Sequence, residues 1–118
     1  MTLYYIVAKF IFSLWIIEWL TKTWNGSFDW DEGNTEKSKL KHEVESLVAE
    51  EVFYDKNLAI LGEQIEPLTD ERRFAVVGKT NSGGTIFISF TTREQKIRVI
   101  SARLAHRKER AIYEKTIH

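Results

Sequence analysis

The chain has no cysteine, one proline and six glycines among 118 residues. Without cysteine there is no disulfide framework and no thiolate chemistry, and a reducing compartment is compatible with the composition. So little proline and glycine leaves no room for a flexible linker. No internal repeat is found, which excludes a repeat architecture. A metal-ligand constellation is missing too. His42, His106 and His118 lie far apart, and no carboxylate pair stands at ligand spacing with them. Net charge is also missing, since 17 Lys+Arg balance 17 Asp+Glu. What is present is 43% hydrophobic residues, enough to fold rather than stay disordered. The length suits one domain around one core.

The zero net charge conceals an asymmetry. Residues 29–71 carry 13 acidic residues against four lysines, whereas residues 72–118 carry 11 basic residues against three glutamates. A basic half beside an acidic half is the electrostatic footprint of polyanion binding. Internal pairing between acidic helices and a basic sheet would produce the same distribution.

One long hydrophobic run opens the chain. Leu3 to Leu20 has only Lys9 and Glu18 charged and approaches the roughly 20 residues of a membrane-spanning helix. A charge near its middle opposes insertion by about 2.5–3.5 kcal/mol. No basic region leads in and no small-residue cleavage site follows, so it does not read as a cleaved signal peptide. Three readings stay open: a membrane anchor, a hydrophobic helix docked on the domain or on a partner, or an extension from a misassigned translation start. The chain divides accordingly into residues 1–26, a hydrophobic extension, and residues 27–118, the folded domain.

Within that domain, Phe28–Asp31 alternates apolar and polar residues, which predicts a short strand. Asn34 is the expected N-cap of a polar helix over about 35–42. A second helix is predicted over about 45–53, with Val44, Leu47, Val48 and Val52 facing the core. Asn57–Leu61 reads as a strand, and the acidic stretch 62–70 with Pro67 as a loop. Three β-branched and aromatic runs follow, 72–79, 85–92 and 96–103. Short turn-forming gaps separate them, so they predict a three-stranded antiparallel meander. A basic amphipathic helix over 106–116 closes the chain, with Ala105, Ala111, Ile112 and Tyr113 inward. The expected class is α+β: a small antiparallel sheet, a three-stranded core plus short N-terminal strands, packed with two N-terminal helices and one C-terminal helix.

In order and spacing, several pieces resemble the BrnT family of bacterial ribonuclease toxins. They are Phe28-Asp-Trp-Asp-Glu32, Lys41-His42 followed by Val44, Ala49-Glu-Glu-Val-Phe-Tyr-Asp55, and Asp70-Glu-Arg-Arg-Phe74 with Gly78. They continue with Thr91-Thr-Arg93, Ile97-Arg-Val-Ile-Ser-Ala-Arg103, and Arg107-Lys-Glu-Arg110 with Tyr113-Glu114. The resemblance covers about residues 28–115. It departs from the usual pattern at Ser38, where asparagine is usual, and at Glu43, where glycine is usual. It departs again at His106, where a capping threonine is usual and whose loss deprives Glu109 of its capping-box partner. The resemblance implies a RelE-like α+β fold, RNA cleavage that stops translation, and no cofactor. It also implies a BrnA-type ribbon-helix-helix antitoxin as partner, with operator DNA contacted only through that antitoxin. The expected location is the cytoplasm, with membrane association through residues 3–20 as the alternative. A non-catalytic relative that only binds antitoxin or nucleic acid is the competing reading.

Cutting RNA without a metal needs a group to engage the 2′-hydroxyl, cations to stabilise the phosphorane, and a donor for the leaving oxygen. Arg73 and Arg103 suit the phosphate role, because a guanidinium stays charged and binds oxygens bidentately. Strict strand alternation puts Ile97, Val99, Ser101 and Arg103 on one face and Arg98 on the other. Ser101 is then placed to act with Arg103, or else fills a tight strand position. His42 is the histidine that the resemblance favours, with capping of a helix end as the alternative. Tyr113 joins the candidates because RelE-type toxins use a late tyrosine; otherwise it packs on the sheet. Lys79, Arg93, Arg107, Lys108 and Arg110 are candidates for holding RNA or an acidic antitoxin segment, against a solvated surface. Phe28 and Trp30 are expected in the core.

Overall fold

The computed structural model describes residues 8–34 and 44–116. Five antiparallel strands make one sheet in chain order: β1 (Lys9–Ile11), β2 (Ala59–Glu66), β3 (Phe74–Lys79), β4 (Thr85–Arg93) and β5 (Lys96–Leu104). The helical elements are α1 (Leu14–Glu18), which runs into a π-helical turn (Trp19–Thr23), then α2 (Ser46–Phe53) and α3 (Arg107–Thr116). The α+β class and the β3–β4–β5 meander are as the sequence predicts. A three-stranded core is an understatement, because two strands extend the sheet beyond β3.

The first extra length comes from β2. The stretch 62–66 is strand, not loop, because both of its edges find partners: β3 on one side and β1 on the other. A register shift between Ile60 and Gly62 bends it. The second comes from the hydrophobic opening segment. It is no continuous helix: residues 9–11 pair with β2, and Ser13 then caps α1, its Oγ accepting the Ile16 N–H at 3.2 Å. Ile16 and Trp19 are buried in the main core, and Trp15 stacks on Phe74 at 5.5 Å. Among the described residues, no helix is long and apolar enough to cross a membrane. Gly62 makes the β1 contact feasible. It sits at φ +116, and a Cβ there would lie 1.8 Å from the Ile11 carbonyl oxygen, so no side chain is admissible.

The two faces of the sheet are unequal. One packs Phe74, Val76, Ile86, Ile88, Phe90, Ile97, Val99 and Ala102 against Ile16, Trp19, Val44, Ala49, Val52 and Phe53. Phe28 and Trp30 pack against that core, as expected, and the Trp30 Nε1–H donates to Glu50 at 2.7 Å. Gly78 lets α2 come close, since a Cβ would meet Val52 Cγ1 at 2.9 Å. The other face buries a smaller cluster, Ala59, Ala75, Val77, Phe87, Ala105 and Tyr113, under α3.

Several local expectations change. Phe28 makes only a single parallel bridge to Ile97 and no strand forms there. Leu47 is 73% exposed, and Ala49 and Phe53 take the core positions of α2 with Val52. Leu47 lies two residues before Ala49, about 200° around the helix and so on its far side. In α3 only Tyr113 is buried; Ala111 and Ile112 are exposed. Asp31, not Asn34, takes the capping role: its Oδ1 accepts the Gly33 N–H at 2.9 Å and the Asn34 N–H at 3.3 Å. Asn34 is buried and ties loop to sheet, its Nδ2 donating to the carbonyls of Asp29 and Val99. The helix expected over 35–42, the departures Ser38 and Glu43, and His42 lie outside the described residues.

Candidate active site on the open face of the sheet

The face under α3 is where the site residues gather. The sequence alternates along β3 and β4 so that Arg73, Ala75, Val77 and Lys79 share this side with Phe87 and Ser89. On β5 the alternation breaks. The register shifts between Ser89 and Phe90, so Ser89 faces Ser101 while Phe90 faces Val99. Ile100 is the extra residue of a β-bulge. Ile97 and Val99 therefore point into the main core, while Ile100, Ser101 and Arg103 line the opposite face. This corrects the single-face grouping that strict alternation predicts. Ser101 and Arg103 still share a face, but without Ile97 and Val99. Arg98 stays apart, held by Asp31 (3.1 Å) and Asp29 (3.3 Å). The Arg98 guanidinium holds the Asp31 carboxyl below its usual range.

A cavity of about 470 Å³ opens where α3 stops covering the sheet. Arg73, Ser101 and Arg103 all line it, with Ser89, His106, Glu109, Gln64, Phe10 and Phe87. The structure thus brings together three of the predicted site residues, Arg73 from just before β3 and Ser101 and Arg103 from β5. The two arginines differ. Arg103 is committed: it meets Glu109 bidentately at 2.7 and 2.8 Å, and its guanidinium lies 4.1 Å over the Phe87 ring. Glu109 also accepts the His106 N–H at 2.7 Å. It therefore keeps the backbone half of the capping box that the missing threonine was expected to abolish. Burial pushes the Glu109 carboxyl up, but Arg103 and the His106 N–H outweigh this and hold it below the usual range. Arg73 makes no ion pair among the described residues, and its Nε is buried without a hydrogen-bond partner. A buried donor left unsatisfied at a cavity wall is uncommon and is suited to an anionic ligand.

Tyr113 does not line this cavity. It sits under α3 in a second polar niche with Asp55, Lys79, Asn57, Thr80 and Glu51. Its hydroxyl donates to Asp55 Oδ2 at 2.6 Å. Burial and the Asp55 carboxylate push its pKa up to about 12. Asp55 also accepts the N–H groups of Lys79 (2.8 Å) and Asn57 (2.9 Å). Burial pushes the Asp55 carboxyl up, yet these bonds outweigh it and hold the group below its usual range.

The other candidates are scattered. Lys79 belongs to this niche, with its Nζ 5.8 Å from the Tyr113 ring. Arg93 ends β4 and pairs with Glu71 at 2.6 Å. Arg107, Lys108 and Arg110 are exposed on α3, and Arg110 also donates to the Ala105 carbonyl at 2.7 Å. Internal pairing does account for part of the basic half, since Arg72, Arg93 and Arg98 each engage a carboxylate from residues 29–71. Among the described residues, no three His, Asp or Glu side chains cluster as metal ligands.

Sequence reasoning missed Gln64, Ser89, Glu109 and Phe10 at the cavity. Ser89 was within reach, being two residues past Phe87 on a strand. The three-residue spacing from His106 to Glu109 was a second signal. Nothing in the sequence places Phe10 beside Arg103.

No curated protein matches the chain in sequence comparison. A family model described as ribonuclease toxin, BrnT, of type II toxin–antitoxin system matches residues 30–109, a span that holds Arg73, Ser101, Arg103, His106 and Glu109. Covering more than half of its length, this match makes the chain a member of the BrnT toxin family.

Proposed function

We propose that this chain is an endoribonuclease that cleaves RNA in the Arg73–Ser101–Arg103 cavity, by metal-independent attack of the 2′-hydroxyl on the adjacent phosphate. One observation carries the reading: Arg73 just before β3 and Ser101 and Arg103 of β5 converge on one cavity, and Arg73 has a buried donor there with no partner among the described residues. Arg73, which makes no ion pair among the described residues, takes a phosphate oxygen. Arg103, oriented by Glu109 and Phe87, meets the charge that builds on the phosphorane. Ser101 supplies a hydroxyl donor beside Arg103. His42 remains the candidate for proton transfer. Tyr113 has a structural role, because its hydroxyl already donates to Asp55.

Family membership supports the rest of the proposal. RNA cleavage stops translation in the cytoplasm, and a BrnA-type ribbon-helix-helix antitoxin neutralises the toxin and carries it to operator DNA. The meander with its helices is read as RelE-like. Exposed Arg107, Lys108 and Arg110 hold RNA backbone or an acidic antitoxin segment. Residues 27–118 form the toxin domain, onto which residues 9–24 of the opening segment pack.

The test is cleavage of RNA by the purified full chain in EDTA, beside Arg73→Ala and Arg103→Ala. The expected result is cleavage by the parent and a loss of about 10²–10³-fold in each variant, the scale of removing one positioned donor. Cleavage that survives both substitutions removes this cavity as the site. A folded parent with no activity on free RNA or in a translating extract favours the binding-module reading.

A further inference from the structure

The cavity has a phosphate side and an aromatic side, and one of the two aromatic rings, Phe10, comes from outside the span that matches the family. Arg73 and Arg103 hold the first. On the second, Phe10 of β1 meets Phe87 of β4 edge-on, their ring centroids 6.1 Å apart. RNA-binding proteins join these two elements in the same way, cations for the backbone and aromatic rings for unstacked bases. The two rings are not equally available. Phe87 carries the Arg103 guanidinium 4.1 Å over its face, so a base stacked there would displace the arginine. Phe10 carries no cation among the described residues. Resting on the reading of this cavity as the RNA site, we propose that Phe10 is a base-stacking residue. It holds the nucleobase next to the phosphate that Arg73 and Arg103 bind.

The position of Phe10 is built into the sheet. Phe10 pairs with Gln64, and its neighbours Lys9 and Ile11 pair with Glu66 and Glu63. Gly62 provides the space for the Ile11 carbonyl. Just downstream, Ile16 is fully buried in the main core. β1 is thus anchored from both sides and presents Phe10 as a fixed wall. A fixed ring loses little freedom when a base stacks on it, which favours binding.

The experiment measures binding of a uniformly 2′-O-methyl oligoribonucleotide, which cannot be cleaved, together with kcat and KM on the same sequence as RNA. The proteins are the full chain, Phe10→Leu, Phe10→Ala, Phe10→Trp and Arg73→Ala, each with its melting temperature. Phe10→Leu keeps the apolar packing and removes the stack. Its affinity is expected to fall by about 5- to 100-fold, the range of losing one base–aromatic stack. KM should rise with kcat nearly unchanged, and Phe10→Trp should retain or improve binding. Wild-type affinity in Phe10→Leu overturns the proposal. Faster cleavage in Phe10→Ala also overturns it, because Phe10 would then obstruct the cavity. If Arg73→Ala loses affinity while Phe10→Leu does not, the RNA site stands and only the stacking role falls. If no variant differs from the parent, the cavity itself is the wrong site and both readings fall.

Discussion

The two polar clusters on the α3 side of the sheet contain similar chemistry and reach opposite outcomes. At the Lys79 end, the Asp55 carboxylate collects a tyrosine hydroxyl and two backbone N–H groups, and Tyr113 is only 2% exposed. At the Arg73 end, a cation borders a cavity with its Nε unpartnered, while its neighbour Arg103 is held by Glu109. The first cluster closes its hydrogen bonds on itself, which stabilises the seating of α3 and of the turn after α2. The second leaves capacity unused. Buried polar groups that are satisfied internally stabilise a fold, whereas a donor at a cavity wall with no protein partner has capacity for a ligand or a water.

Four substitutions and one change of condition break or sharpen this contrast. The largest expected effect is on rate: Arg73→Ala should cut RNA cleavage by about 10²–10³-fold and leave the melting temperature unchanged, because among the described residues no carboxylate loses an ion-pair partner. Arg103→Ala should show a comparable rate loss with a lowered melting temperature, since Glu109 is then left half-buried without its cation. A melt that drops equally in both would erase the distinction. Next comes Asp55→Ala, which orphans the Tyr113 hydroxyl and two backbone donors. Denaturant titration should show a loss of about 2–3 kcal/mol, with cleavage per folded molecule preserved. Inactivity in a folded Asp55→Ala protein would move the niche into the catalytic machinery. Gly62→Ala follows, at about 1–2 kcal/mol for the left-handed backbone plus displacement of β1. Hydrogen exchange should speed up at residues 9–11 and stay slow in β3 and β4.

The smallest effect is on pH. Asp55 and Glu109 both have folded-state pKa values below their ordinary ones. Their contribution is complete above the unfolded value of about 4 and is lost as pH falls through the folded values. Stability should therefore decline below about pH 4, and Asp55→Asn should flatten that decline. An unchanged acid limb in this variant would show that Asp55 contributes little to it.

Much of this was legible in the chain. The β3–β4–β5 meander follows from β-branched runs separated by short gaps, because hairpin pairing is local. The sequence places Arg73 at the start of one run and Arg103 at the end of another, and both line one cavity. Ser101 lines the same cavity as Arg103 even though strict alternation fails, since a bulge at Ile100 resets it and sends Ile97 and Val99 the other way. Tyr113 is read from the sequence either as a late catalytic tyrosine or as packing on the sheet, and it is buried there. The structure also gives it Asp55, 58 residues away in sequence, and nothing in local spacing announces that pairing. The 62–66 strand was missed because its acidic residues mimic a loop; only its two neighbours make it a strand.

By itself the sequence determined the α+β class, the meander, membership in the BrnT family, and the identity of the cationic residues. Each rests on local pattern, and local pattern is set by side-chain periodicity and turn chemistry. Only the tertiary structure decided which cations are spent on internal carboxylates, and that Arg73 makes no ion pair among the described residues. It also decided that the opening hydrophobic segment enters the sheet and the core, and that Phe10 meets the arginine cavity. Those outcomes depend on which distant carboxylate, carbonyl or ring comes within reach when the strands pack, and a one-dimensional pattern carries no distance between residues 10, 73 and 103.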